Sequence, residues 1–89
     1  MKYSIYSIRD DLTGFLTPTF EVNDAVAMRN FSYAVERDDS LLSSHPQDYS
    51  FYHIGYFDSD TGCFESIQPP NLICRASSLV HKSSARSDE

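Results

Sequence analysis

One stretch decides the fold of this chain: Pro46-Gln47-Asp48-Tyr49-Ser50-Phe51-Tyr52-His53-Ile54-Gly55-Tyr56-Phe57-Asp58-Ser59-Asp60-Thr61-Gly62. Residues 50–58 are dense in aromatic and aliphatic side chains and predict a β-strand. The loop 58–62 predicts a hairpin turn, because Gly62 supplies the positive φ that such a turn needs. Residues 63–67 then return as the second strand of the hairpin.

The amino-terminal residues 2–8 (Lys-Tyr-Ser-Ile-Tyr-Ser-Ile) predict another strand. Tyr3 and Ile5 share one face of it, and Tyr6 and Ile8 share the other. Apolar groups on both faces are typical of an interior strand, or of a strand whose second face meets a partner.

Prolines mark two other segments as irregular. Residues 14–22 contain Pro18 and predict an extended connection that packs aromatic side chains onto the domain, with room for a short edge pairing. Pro69-Pro70 should interrupt the ladder before a short last strand at residues 71–76, since proline lacks the amide donor.

A helix is predicted from about Asp24 to about Arg37. Asn23 or Asp24 is suited to cap it, because a short polar side chain accepts hydrogen bonds from the first free amides. Its apolar stripe recurs at helical spacing and consists of Ala27 or Met28, Phe31, and Ala34 or Val35.

These elements predict an α+β fold: a small, mostly antiparallel sheet of three to four strands with one amphipathic helix packed on one face. We expect a single domain over residues 1–80 and a polar, disordered tail over residues 81–89. One helix covers only one face of a sheet that is apolar on both, so we expect a homo-oligomer, most simply a dimer. The candidates for its interface are Tyr6, Tyr52, Ile54 and Tyr56.

The composition is acidic, with 89 residues, seven Lys plus Arg and a net charge of −6. Strong sequence-independent binding to DNA depends on cations that neutralise phosphates, so the charge favours protein partners instead. No apolar run is long enough for a membrane span, no signal peptide is visible, and two cysteines make no disulfide framework. We therefore expect a reduced, cytosolic protein.

No pattern predicts catalysis, a metal or a cofactor. Asp58-x-Asp60-x-Gly62 resembles the start of a calcium loop, but Gly62 is in the wrong position and strands flank the loop. The three histidines and two cysteines lack zinc spacing, and nothing marks either cysteine as an activated nucleophile. We expect a protein that is not an enzyme and has no cofactor.

The aromatic strand allows two interpretations. Together with Tyr3 and Tyr6, its side chains are able to form a stacking platform for single-stranded bases. Such platforms also carry Arg or Lys along the strand, whereas here His53 is the only candidate cation. Chemistry alone therefore favours core or interface packing, and the platform stays open as the alternative.

Several short motifs together resemble a known family, the small nonstructural proteins of gokushovirus-type microviruses, which are phages with circular single-stranded DNA. The resemblance covers residues 3–79. It rests on Ile8-Arg9-Asp10, the Phe-x-x-Pro-x-Phe run of residues 15–20, Asp24-Ala25, Arg29-Asn30-Phe31, the His-Pro-x-Asp-Tyr segment with its continuation over residues 45–58, and Thr61-Gly62.

This resemblance implies a non-enzymatic protein of the host cytoplasm that supports viral single-stranded DNA synthesis and genome packaging, and it brings no catalytic residues with it. Two classes remain: a factor that binds single-stranded DNA or replication and packaging proteins, and one that acts on a host or capsid-assembly protein without nucleic-acid contact. If DNA is bound, Arg9, Arg29 and Arg75 are the candidate phosphate contacts, and Tyr6 and Tyr52 the candidate stacking residues.

Overall fold

The structure is a computed structural model that describes residues 1–37 and 39–79, and it confirms the α+β fold. One antiparallel sheet is crossed on one face by a helix. The elements are β1 Lys2–Asp10, β2 Gly14–Phe15, β3 Thr19–Glu21, α1 Asp24–Glu36, the short α2 Leu41–Ser44, β4 Tyr49–Asp58 and β5 Cys63–Arg75. The predicted tail, residues 81–89, lies outside the described residues.

The sheet has the order β2-β1-β4-β5. The edge of β1 that does not face β4 pairs with β2 at residues 9 and 10 and with β3 at residues 4–6. β1 therefore is an interior strand, as its two apolar faces predict. The β4–β5 hairpin turns at Gly62, whose φ of 77° is the positive value expected there. The short edge pairing near Pro18 also exists and joins Phe20 to Ile5.

A bulge in β4 changes the faces of the sheet. Tyr6 pairs with His53, but the preceding residue, Ile5, pairs with Gly55, so Ile54 is an extra residue in β4. Since neighbouring residues of β1 point to opposite faces, the alternation of β4 is reversed beyond Ile54.

The prolines have a smaller effect than predicted. Residues 63–75 form one strand, β5, rather than two. Its pairing nevertheless skips from Ser66, opposite Gly55, to Asn71, opposite His53, so the ladder is interrupted around Pro69-Pro70 as expected.

Helix α1 packs its apolar stripe on the sheet. The side chain of Asn23 caps it by accepting a hydrogen bond of 2.9 Å from the amide of Val26. Ala27, Phe31 and Val35 are buried, which confirms the predicted stripe. Burying an aromatic or aliphatic side chain of this kind contributes about 1.5–3 kcal/mol.

Aromatic rings form the centre of the core. Phe31 of α1 stacks on Phe51 of β4 with ring centroids 4.5 Å apart, and Phe51 stacks in turn on Tyr6 of β1 at 5.4 Å. His53 extends this column, stacking on Tyr6 at 4.8 Å. The column ties the helix to the two central strands.

Candidate nucleic-acid interface

The face of the sheet opposite α1 carries a second set of aromatic side chains. Tyr3, Ile5, Ser7 and Arg9 share this face of β1, because side chains alternate along a strand, and their paired residues in neighbouring strands point the same way. The large side chains on it, which together we call the aromatic face, are Tyr3, Ile5, Phe15, Phe20, Tyr52, Phe57, Phe64 and Leu72.

The rings of the aromatic face form two clusters. Near the hairpin end, the Phe57 ring meets Phe64 edge to face at 5.1 Å and Phe20 at 5.7 Å. Near the other end, Phe15 meets Tyr52 edge to face at 5.3 Å. Edge-to-face contacts of this kind hold the rings in fixed orientations.

These rings remain open to solvent. Phe64 is 67% exposed and Phe20 is 47% exposed, whereas Phe31, on the face of α1 that packs against the sheet, is 3% exposed. Phe15 and Leu72 are also about half exposed. A contiguous apolar surface of this type usually marks a binding site rather than a random feature of the surface.

Two of the three predicted arginines lie beside this surface. Arg9 and Arg75 both pair with Ser50, one from each side, so all three residues form one row across the aromatic face. The Arg9 guanidinium lies 5.9 Å from the centroid of the Phe15 ring and forms an ion pair of 2.8 Å with Asp11.

Arg75 is more weakly held. Its guanidinium donates a hydrogen bond of 3.4 Å to the hydroxyl of Ser50, and the residue is exposed. Within the part of the chain that the structure describes, the row therefore presents one arginine beside an acidic residue and an aromatic ring, and one whose guanidinium contacts a neutral hydroxyl.

The third arginine is elsewhere. Arg29 is exposed on α1, and it lies two residues, or about 200° of helical rotation, from Ala27, which faces the sheet. It points away from the sheet on the opposite side of the molecule, so the structure does not bring Arg29 together with Arg9 and Arg75.

Tyr6 is a core residue. Its side chain is fully buried, and its hydroxyl donates a hydrogen bond to the Asp24 carboxylate. Burial, together with this hydrogen bond to an acidic group, raises the pKa of Tyr6 to about 12. A ring in this position has no surface to offer a base or a second subunit, so we remove Tyr6 from both sets of candidates.

Because of the bulge, the other three predicted interface residues do not lie on one face of the sheet. Tyr52 lies on the aromatic face and is half-buried, whereas Tyr56 lies on the face that α1 packs against, beyond the helix, where the Lys2 ammonium is 5.8 Å from its ring. Ile54 is the bulged residue itself. Only Tyr52 therefore belongs to the aromatic face.

The sequence reasoning missed Phe15, Phe20 and Phe64 as members of this surface. Phe15 and Phe20 lie in the connection around Pro18, which has neither helical nor strand periodicity. Phe64 follows the turn in the return strand, and its partner Phe57 was recognised as part of the aromatic strand. The available signal was the high density of Phe in residues 15–20 and on either side of the loop 58–62.

Other chemistry has little support among the described residues 1–37 and 39–79. They contain no group of three or more His, Cys, Asp or Glu side chains placed to hold a metal ion. A pocket of 130 Å³ beside Lys2 and Glu65 is close to the size of a few water molecules. Burial raises the pKa of the Cys74 thiol, which opposes a nucleophilic role.

No helix within the described part of the chain is both long and apolar enough to cross a bilayer.

Comparison with known proteins gives one match. Residues 3–79, which include every strand and helix named above except Lys2 at the start of β1, match the model of the family described as Phage ORF5 protein. Neither the curated proteins nor the solved structures contain a significant match.

Proposed function

Since the chain belongs to the Phage ORF5 protein family, we propose that it is a non-enzymatic nonstructural protein of a microvirus of the gokushovirus type. It acts in the host cytoplasm, where it supports viral single-stranded DNA synthesis and genome packaging. It does so by binding single-stranded DNA through the aromatic face. The motifs shared with gokushovirus nonstructural proteins support the narrower viral group.

One observation carries the binding proposal: exposed aromatic rings on an open sheet face lie directly beside a row with two arginines. Sheet-based readers of single strands combine these two features, because rings stack on bases and arginines neutralise phosphates. Stacking contributes about 1–3 kcal/mol per base and needs no particular sequence. The face is therefore suited to single strands of any sequence.

The net charge of −6 limits the strength of this binding. With two arginines and one of them paired to Asp11, only one or two phosphates are neutralised. We expect the logarithm of the binding constant to fall with the logarithm of salt concentration with a slope of about −0.7 to −1.4. Stacking must supply the larger part of the affinity.

The acidic charge favours a second candidate function. An apolar surface on a negatively charged protein is also suited to a host or capsid-assembly protein without any contact to nucleic acid. This alternative predicts no measurable affinity for single-stranded DNA at any salt concentration.

Fluorescence anisotropy with labelled oligothymidylate of about 12 nucleotides tests the proposal. The parent protein should bind with the shallow salt slope given above. The double variant Arg9→Ala and Arg75→Ala should lose nearly all of that slope, and Phe15→Ala should weaken binding by about tenfold at every salt concentration.

Arg29→Ala is the matched control, because it removes an exposed cation from the opposite side of the molecule. It should leave the slope unchanged. If Arg29→Ala alters the slope as much as the double variant does, DNA is not bound at the aromatic face. Absence of binding by the parent would leave the protein-interaction function in its place.

A further inference from the structure

The aromatic face is comparable in area to the largest apolar patch of a typical monomer. Phe15, Phe20, Phe64 and Leu72 are each about half exposed or more, and Tyr52 and Phe57 add half-buried area. With 150–250 Å² for each large side chain, the open apolar area is about 500 Å². The largest apolar patch of a typical monomer covers about 300–600 Å², and such patches are usually functional.

A second copy of the chain is the occupant best matched to this surface. The sequence of residues 80–89, Val-His-Lys-Ser-Ser-Ala-Arg-Ser-Asp-Glu, offers little apolar area by comparison. A second copy of the chain, in contrast, presents an equal apolar area.

A face-to-face pair has the dimensions of a stable interface. Two sheets pack at about 10 Å with their inner side chains interdigitated. Two faces of about 500 Å² of apolar area, with their polar rims, bury about 1,200–1,600 Å², which is the range of specific complexes. A two-fold axis that lies in the interface and runs perpendicular to the strands places the Arg9–Arg75 rows of the two copies at opposite ends, so that the like charges do not meet.

We infer that, without DNA, the aromatic face is covered by the same face of a second copy, and that single-stranded DNA and the second copy compete for it. The competition rests on the proposed DNA-binding function, whereas the dimer does not. Without DNA, the stacking rings are then buried in the dimer interface. DNA binding converts the dimer into monomers. Self-association then lowers the apparent affinity for DNA, because only the monomer presents free rings to a single strand.

Added salt should change self-association and DNA binding in opposite directions. Each copy has a net charge of −6, so self-association works against electrostatic repulsion and becomes stronger as salt screens it. DNA binding becomes weaker under the same change because the release of counterions into a more concentrated salt solution is less favourable. The dimer fraction should therefore rise with salt and the DNA-bound fraction should fall.

Sedimentation velocity over micromolar concentrations, first without and then with unlabelled oligothymidylate, tests this inference. The parent should sediment as a dimer and become monomeric when DNA is added in excess. Phe64→Ser should weaken self-association by about tenfold or more, as expected for an aromatic side chain in an interface. Tyr33→Ser is the matched control, since Tyr33 is 66% exposed, on α1, and Phe64 is 67% exposed; it should leave the dimer unchanged.

A parent that stays monomeric without DNA overturns the inference, as does a dimer that Phe64→Ser leaves intact. A dimer that binds DNA without dissociating overturns the competition. If the dimer forms and no DNA is bound in the anisotropy experiment, the proposed function fails and the competition fails with it, while the dimer stands. Circular dichroism of each variant shows whether it is folded.

Discussion

The two faces of the sheet are both aromatic, but only one of them is closed. On the covered face, Phe31, Phe51 and Tyr6 stack in a column and are almost inaccessible to water. On the aromatic face, Phe20, Phe57 and Phe64 contact one another edge to face; Phe20 and Phe64 stay exposed, and Phe57 is half-buried. Residue type alone therefore does not separate a core from a binding surface; what separates them is whether another element packs on top.

The largest expected effect is the difference in lost stability between replacing a phenylalanine packed on the covered face and replacing one on the aromatic face. Phe31→Ala should lower the free energy of unfolding by about 3–5 kcal/mol, because it leaves a cavity beside Phe51. Phe64→Ala removes an exposed ring with edge contacts only and should cost about 1 kcal/mol. Urea denaturation followed by circular dichroism measures both.

For a chain of this length, a loss of the size expected for Phe31→Ala is a large share of the total stability, so an unfolded variant would also agree with the account. Equal losses for the two variants would show that the aromatic face is a second core rather than a binding surface.

An intermediate effect is expected at Gly55, where the bulge lets β5 approach β4. A Cβ atom at this position overlaps the carbonyl oxygen of Glu65, so Gly55→Ala should cost about 1–3 kcal/mol. The comparison is Gly62→Ala, where a Cβ meets nothing but φ is 77°, and where a left-handed residue costs about 1 kcal/mol. A loss at Gly55 no greater than at Gly62 would contradict the close approach of the two strands.

The smallest effect concerns Tyr6 and depends on pH. Its pKa is raised by burial and by the Asp24 carboxylate, so the folded state favours the neutral hydroxyl, and this contribution is complete below about pH 10 and is lost as pH rises toward about 12. Tyr6→Phe removes the hydrogen bond and should cost about 1 kcal/mol near neutral pH.

Above pH 10 the parent should lose stability faster than the Tyr6→Phe variant, so that the difference between them shrinks. Tyr49, whose pKa burial also raises, is present in both proteins and cancels in the comparison. A difference that stays constant up to pH 12 would show that Tyr6 titrates as it does in the unfolded chain.

Much of the fold follows from the sequence because local signals agree with it. The run of β-formers in residues 50–58, the turn at Gly62 and the stripe of Ala27, Phe31 and Val35 each specify their own element. Each signal depends on residues close together in the chain, and the structure confirms all three.

The division of the sheet into faces was less predictable. The bulge at Ile54 depends on how β1 and β4 pair across the sheet, and it places Tyr52 and Tyr56 on opposite faces although simple alternation puts them on one. The assignment of the helix to the Tyr6 face rather than the Tyr3 face also depends on tertiary packing. For this reason Tyr52 stays a candidate for the functional surface, while Tyr6 became a core residue.

The most direct test of the functional surface maps where DNA binds. In an NMR titration of ¹⁵N-labelled protein with oligothymidylate, we expect the backbone amide chemical shifts to change at Arg9, Phe15, Tyr52, Phe64 and Arg75. The exposed helix residues Arg29 and Tyr33 should not change. Shifts centred on α1, or no shifts at all, would contradict the claim that the aromatic face binds single-stranded DNA.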